Sequence, residues 1–136
     1  MIDKKITKSF SPKQVTSEIS VNSALSKYAG KHVIADFYGV DQLDNIELME
    51  QALTQASEVA GATLLHIHLH TFSDGGGITG VALLAESHIS VHTWPELRYA
   101  AFDAFMCGDA KPEKAIELLE NIFNPTEIKL KEILRG

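Results

Sequence analysis

Between Thr79 and Gly108 the chain reads TGVALLAESHISVHTWPELRYAAFDAFMCG, which sets a hydroxyl (Ser87), an imidazole (His92) and the only thiol (Cys107) within one short span. A serine near a histidine suggests a nucleophile and its base, the pairing used by hydrolases. The G-x-S-x-G elbow that would expose such a serine is absent, because Ser87 is flanked by Glu86 and His88. A serine in a turn also has an ordinary structural use. One cysteine excludes an internal disulfide and a cysteine-based metal cage, and its simplest role is that of a small buried hydrophobe. His66, His68 and His70 recur at a spacing of two, which on a strand puts three imidazoles on one face, where they could share a metal. No nearby Asp or Glu completes a ligand set, so no metal is expected. Phe72 and Trp94 are the aromatics nearest these groups, available for stacking or for a cation–π contact.

The elements that must position these residues follow from periodicity. His32 to Tyr38 alternates as a strand, and Asp44 is expected to cap a helix on which Ile46, Met49, Leu53 and Ala56 recur at helical spacing until Gly61 stops it. Ala62 to Phe72 is the histidine strand, with Leu65, Ile67 and Leu69 facing one way and the three histidines the other. After a loop at Ser73 to Gly77, Gly80 to Glu86 and His88 to Trp94 read as short strands on either side of Ser87, and Tyr99 to Met106 reads as the next. Lys111 to Phe123 carries Ala115, Ile116, Leu118, Leu119 and Ile122 on one helical stripe, and Glu127 to Leu134 alternates as a last strand. The implied class is α+β: a two-layer α/β sandwich with a largely antiparallel sheet and both long helices on one face. The other face is left wanting a partner. Residues 1–28, rich in Lys, Ser and Thr, read as an N-terminal extension with a short helix near Ser17 to Lys27, and residues 29–136 as the working domain.

Composition narrows the partners. The 136 residues, 45% hydrophobic and 22% charged, suit one compact domain. A net charge of -6 without a cluster of Lys and Arg argues against nucleic acid. No stretch approaches the ~20 apolar residues of a membrane span, and no signal peptide is expected at Met1 to Lys5. A lone cysteine fits a reducing cytoplasm.

The segments ESHISVHTWPE and YAAFDAFMCG closely resemble the prokaryotic S-adenosylmethionine decarboxylase proenzyme family. The resemblance runs from about His32 to Leu134 and includes DFY at Asp36, LDN at Leu43 and GAT at Gly61. It implies a proenzyme whose Glu86–Ser87 bond breaks without a protease, giving chains 1–86 and 87–136, with Ser87 converted to a covalent pyruvoyl group. That group would form a Schiff base with a small-molecule substrate, S-adenosylmethionine, whose decarboxylated product donates aminopropyl groups for polyamine (spermidine) synthesis. Carried over position by position, the resemblance makes His92 the processing base, Cys107 the proton donor in catalysis, Thr79 the processing hydroxyl (commonly serine), and Phe72 the aromatic that stacks on adenine. Trp94 is a second candidate for substrate contact.

The chain departs from the family in one loop. The family usually reads His-x-Phe-x-Pro-x-Gly-x-Ser-Gly, whereas His70-Thr71-Phe72 is followed here by Ser73-Asp74-Gly75-Gly76-Gly77-Ile78-Thr79, without the proline and one residue longer. Two alternatives therefore stand beside the main reading: a pyruvoyl-dependent arginine or ornithine decarboxylase on the same scaffold, and a non-catalytic regulatory homologue. Geometry adds an expectation about assembly. Five residues of extended strand between Ser87 and His92 span about 16 Å, too far for direct proton transfer. A two-fold homodimer with composite active sites, Ser87 and Cys107 from one protomer and Thr79 and His92 from the other, would close that gap and cover the open sheet face.

Overall fold

The structure, a computed structural model, describes residues 5–10 and 28–136. The short helix expected near Ser17 to Lys27 lies outside the described residues. Strand β1 spans Lys5–Phe10, β2 Gly30–Tyr38, β3 Thr63–Thr71, β4 Ile78–Ala85, β5 Ser87–Trp94, β6 Tyr99–Met106 and β7 Glu127–Arg135; helix α1 spans Ile46–Val59 and α2 Pro112–Phe123. Among the described residues the strands form one sheet in the order β1-β7-β2-β6-β5-β4-β3. The pairings from β7 through to β3 are antiparallel, and β1 runs parallel to β7, so the N-terminal extension supplies a further strand.

Alternation sorts the strands into two faces. Val33, Ala35 and Phe37 of β2, Ile78, Ala82 and Leu84 of β4, Ile89 and Val91 of β5, and Ala100, Phe102, Ala104 and Met106 of β6 are buried beneath the helices. α1 lies on β3 and β4, α2 on β2 and β6, and the two helices pack against each other. The buried stripe of α1 is Met49, Ala52, Leu53 and Ala56, and that of α2 is Ala115, Ile116, Leu119 and Phe123. Leu118 and Ile122, assigned to the α2 stripe from sequence, lie at its margin and are only partly buried.

Local chemistry sets the ends of the elements. The cap of α1 is Asn45, not Asp44: its side chain accepts the Leu48 N–H at 3.0 Å, bonding the third residue of the helix as an N-cap does. Gly61 takes a positive φ of 81° just after the helix, a conformation that costs glycine little. Strand β3 also differs from the expected pattern. A bulge between Leu64 and His66 makes Leu65 the extra residue, 64% exposed, and Leu64 takes its place in the core beside Ile67 and Leu69.

Among the described residues, no helix lies over the second face. It carries His66, His68 and His70 of β3, Val81 and Leu83 of β4, His88, Ser90 and His92 of β5, Asp103 and Phe105 of β6, and His32, Ile34 and Asp36 of β2. Leu83 stands 45% exposed there.

Candidate active site

Strand β4 ends at Ala85 and β5 begins at Ser87, so Glu86 alone connects them. The antiparallel register that pairs His88 with Phe105 brings Cys107, just past the end of β6, level with Glu86. The Cys107 thiol donates to the Glu86 carbonyl oxygen at 2.9 Å, and the Ser87 hydroxyl contacts the same oxygen. Cys107 Sγ lies 3.9 Å from Ser87 Oγ and 3.9 Å from Glu86 Oε1. One peptide carbonyl is thus met by a hydroxyl from the next residue and by a thiol from the adjacent strand. A serine that attacks its preceding carbonyl converts an amide to an ester, and a donor on the carbonyl oxygen stabilises the charge that develops there. The donor set fits formation of a group from Ser87 itself.

The other pair predicted to act in processing lies further along the same strands. Thr79 of β4 is directly opposite His92 of β5, and Thr79 Oγ1 is 3.1 Å from His92 Nδ1. If Nδ1–H donates to the hydroxyl, Nε2 keeps a free lone pair and the hydroxyl proton is free to donate elsewhere, the protonation pattern that a base and an oxyanion donor require. The start of β4 is pinned from below. The Ile78 N–H donates to buried Thr93 Oγ1 at 2.8 Å, and that hydroxyl donates to the Leu43 carbonyl at 2.8 Å. Gly77 approaches the Thr93 carbonyl so closely that a Cβ there would sit 2.3 Å from its oxygen, which explains a glycine at the end of the lengthened loop.

The structure therefore brings Glu86, Ser87 and Cys107 together, and brings Thr79 and His92 together, but sets the two groups five residues apart along β5. Phe72 and Trp94 lie at the Thr79–His92 end. Phe72 follows β3, is 67% exposed and packs edge-on against His70 at 4.9 Å; Trp94 stacks on Tyr99 at 5.1 Å, with its ring 6.4 Å from that of His92. The β3 imidazoles do not converge as a three-ligand set. Among the described residues, the His/Cys/Asp/Glu group whose ligand atoms do converge is His32, His88 and Asp103.

The sequence alone assigns these three residues no role. Asp103 Oδ2 meets His32 Nε2 at 2.5 Å and His88 Nε2 at 3.1 Å, while Ser90 Oγ donates to Oδ1. Arg135 Nη1 lies 3.3 Å from His32 Nδ1, and because a guanidinium can only donate, that nitrogen accepts and the proton sits on Nε2, pointing at the carboxylate. Burial pushes the Asp103 carboxyl up, but the hydrogen bonds from Ser90, His32 and His88 outweigh it and hold the group below the usual aspartate range. Nearby, Tyr99 donates to Asp36 Oδ1 at 2.6 Å; burial first, then that carboxylate, raises its pKa well above the ordinary tyrosine value. The sequence signal for these residues was the polar alternation of β2, β5 and β6, which puts His32, Asp36, His88, Ser90, Tyr99 and Asp103 on the uncovered face.

The comparisons with known proteins point to one family. The sequence model of S-adenosylmethionine decarboxylase matches residues 31–136. The S-adenosylmethionine decarboxylase proenzyme of Methanococcus aeolicus is 46% identical over 113 residues, 81% of this chain and 96% of that one. The proenzyme of Thermomicrobium roseum is 39% identical over 111 residues, again 81% and 96%. The crystal structure of the adenosylmethionine decarboxylase from Aquifex aeolicus superposes with a TM-score of 0.75 at 39% identity, covering 81% of this chain and 92% of that chain. With the matched region running through both strand pairs and the Glu86–Ser87 connection, the chain belongs to the S-adenosylmethionine decarboxylase family.

Proposed function

We propose that this chain is a self-processing decarboxylase of S-adenosylmethionine that makes its own pyruvoyl group from Ser87 and works as a homodimer. The observation that carries the reading is the Glu86 carbonyl, contacted by Ser87 Oγ and accepting from Cys107 Sγ at 2.9 Å.

Processing proceeds from that contact. Ser87 Oγ attacks the Glu86 carbonyl carbon, the oxyanion is stabilised by hydrogen bonds, and the C–N bond breaks to leave an ester and a free amine on Ser87. A base removes the Ser87 α-proton and the Cβ–O bond breaks, releasing Glu86 as a carboxylate and leaving dehydroalanine. Its imine form hydrolyses with loss of ammonia, so residue 87 becomes a ketone-bearing end without an amino group. When formed, the pyruvoyl group supplies the electron sink that no side chain offers for the charge left by departing carbon dioxide.

The chain's own residues supply protons and position. His92, oriented by Thr79 at 3.1 Å, is the base for the α-proton, and the Thr79 hydroxyl donates to the oxyanion. Cys107 holds its proton beside residue 87 and is the acid that returns one to the substrate's α-carbon. Phe72 and Trp94 offer aromatic faces for the adenine or the sulfonium. In one protomer the two groups are about 16 Å apart along β5, so the reading places Ser87 and Cys107 of one protomer with Thr79 and His92 of its partner, across the uncovered sheet faces. Residues 29–136 form the decarboxylase unit and residues 1–28 its extension. Among the described residues no helix is long and apolar enough to cross a membrane; the single cysteine fits a cytoplasmic setting.

Mass spectrometry tests the reading. Two fragments are expected, residues 1–86 and 87–136, the second without a free amino terminus, and the cleaved protein should release carbon dioxide from S-adenosylmethionine and not from arginine or ornithine. An intact chain after long incubation would favour a non-catalytic homologue, and release from arginine or ornithine alone would shift the substrate.

A further inference from the structure

We propose that His88, held by Asp103, is the positioning residue that keeps the newly made end of β5 in place after self-cleavage. The inference rests on the pyruvoyl reading above and assigns work to a network which that mechanism leaves unused.

Before cleavage, the start of β5 is held covalently through Glu86 to β4. Cleavage removes that tether and makes residue 87 a chain end, and strand ends fray unless something ties them down. An ordinary new N-terminus carries an ammonium group that a carboxylate can anchor. The end made from Ser87 carries none, since its nitrogen leaves as ammonia, so the first side chain able to hold it is that of His88.

His88 is built for this use. Its Nε2 reaches Asp103 Oδ2 at 3.1 Å, from β5 to β6, and its ring packs against Phe105 at 6.2 Å. Asp103 is in turn immobilised from two further sides, by Ser90 on Oδ1 and by His32 at 2.5 Å on Oδ2, and His32 is fixed by Arg135 at 3.3 Å. One carboxylate thereby connects β7, β2, β6 and β5 in a single chain of hydrogen bonds. Its last link falls on the residue whose backbone nitrogen carries the reactive group. Displacement of a reacting carbonyl by about 1 Å costs on the order of 100-fold in rate, so a fixed β5 end matters for turnover and not for the cleavage that precedes it.

The experiment compares the wild-type protein with His88→Ala, His88→Gln and His32→Ala, each read by mass spectrometry for cleavage, by hydrogen exchange of the amides at residues 88–91, and by kcat and KM. Glutamine can present an N–H where the imidazole Nε2–H stood. In His88→Ala the blocked 87–136 fragment should still form, while amides 88–91 exchange at least about 10-fold faster and kcat falls by about 10-fold or more with KM changed less than about 2-fold. His88→Gln should restore both protection and kcat. His32→Ala loosens the far side of the network and should leave amides 88–91 nearer the wild-type level than His88→Ala does. Unchanged protection and kcat in cleaved His88→Ala would overturn the proposal, as would equal losses in His88→Ala and His88→Gln. A wild-type protein that forms no blocked 87–136 fragment would refute the pyruvoyl reading itself, a separate result visible in the same spectra.

Discussion

Thr79 and His92 face each other across β4 and β5 at 3.1 Å, five residues along β5 from Ser87. The pair is therefore assembled within one chain by antiparallel register, yet it stands at the opposite end of the strand from the bond it is proposed to process. The role of Thr79 is separable by substitution. Thr79→Ser keeps the hydroxyl and should cleave at near the wild-type rate. Thr79→Val keeps the shape and loses the donor, and should slow cleavage by roughly 100-fold, the usual loss for one oxyanion donor; a time course on denaturing gels measures both.

Ser87→Ala should leave one intact chain and no decarboxylation, because alanine has neither the attacking oxygen nor a route to a ketone. Intact mass and carbon dioxide release check the two outcomes.

Cys107 should affect both stages. The resemblance implies that it protonates the substrate during turnover, and the 2.9 Å contact with the Glu86 carbonyl adds a place in cleavage. A thiol is a weak donor, so its loss should slow cleavage by about 10-fold without abolishing it, while turnover of the cleaved protein falls further. Cys107→Ser should recover most of the cleavage rate.

The succession of strands along the chain, the two helices on one face and the place of Ser87 between two short strands were legible in the sequence because hydrophobic periodicity is strong there, from IELMEQALTQASEV to PEKAIELLENIF, whereas the order of strands in the sheet was not. Leu65 was misassigned because a bulge inserts one residue and reverses the alternation locally, which no count of period two can reveal. Asp44 and Asn45 are adjacent cap-forming residues, told apart only by which side chain reaches Leu48. Ser87, His92 and Trp94 stood out as candidates in ESHISVHTWPE, and Cys107 in YAAFDAFMCG. The Asp103 network was not, since His32, His88, Ser90 and Asp103 come from three strands and meet only through sheet pairing.

Acid should weaken the fold through Asp103. Its folded pKa lies below the ordinary value, so the stability it contributes is present above about pH 4 and is lost as pH falls through the folded value. The donors facing it are His32, His88 and Ser90, with Arg135 behind His32. Asp103→Asn should lower the melting temperature at pH 7 by several degrees and lose less of it than wild type between pH 5 and pH 3. Thermal melts across that range provide the check.

Each processing site is proposed to be shared between two protomers, and co-expressing a Ser87→Ala chain with a His92→Ala chain, carrying different tags, puts that sharing to the test. In the mixed dimer the Ser87→Ala chain supplies an intact Thr79–His92 pair to the intact Glu86–Ser87 bond of the other chain. Cleavage should therefore reappear in the His92→Ala chain alone, while each variant expressed by itself stays whole. Purified mixed dimers in which neither chain is cleaved would contradict the account and place the complete site within one chain.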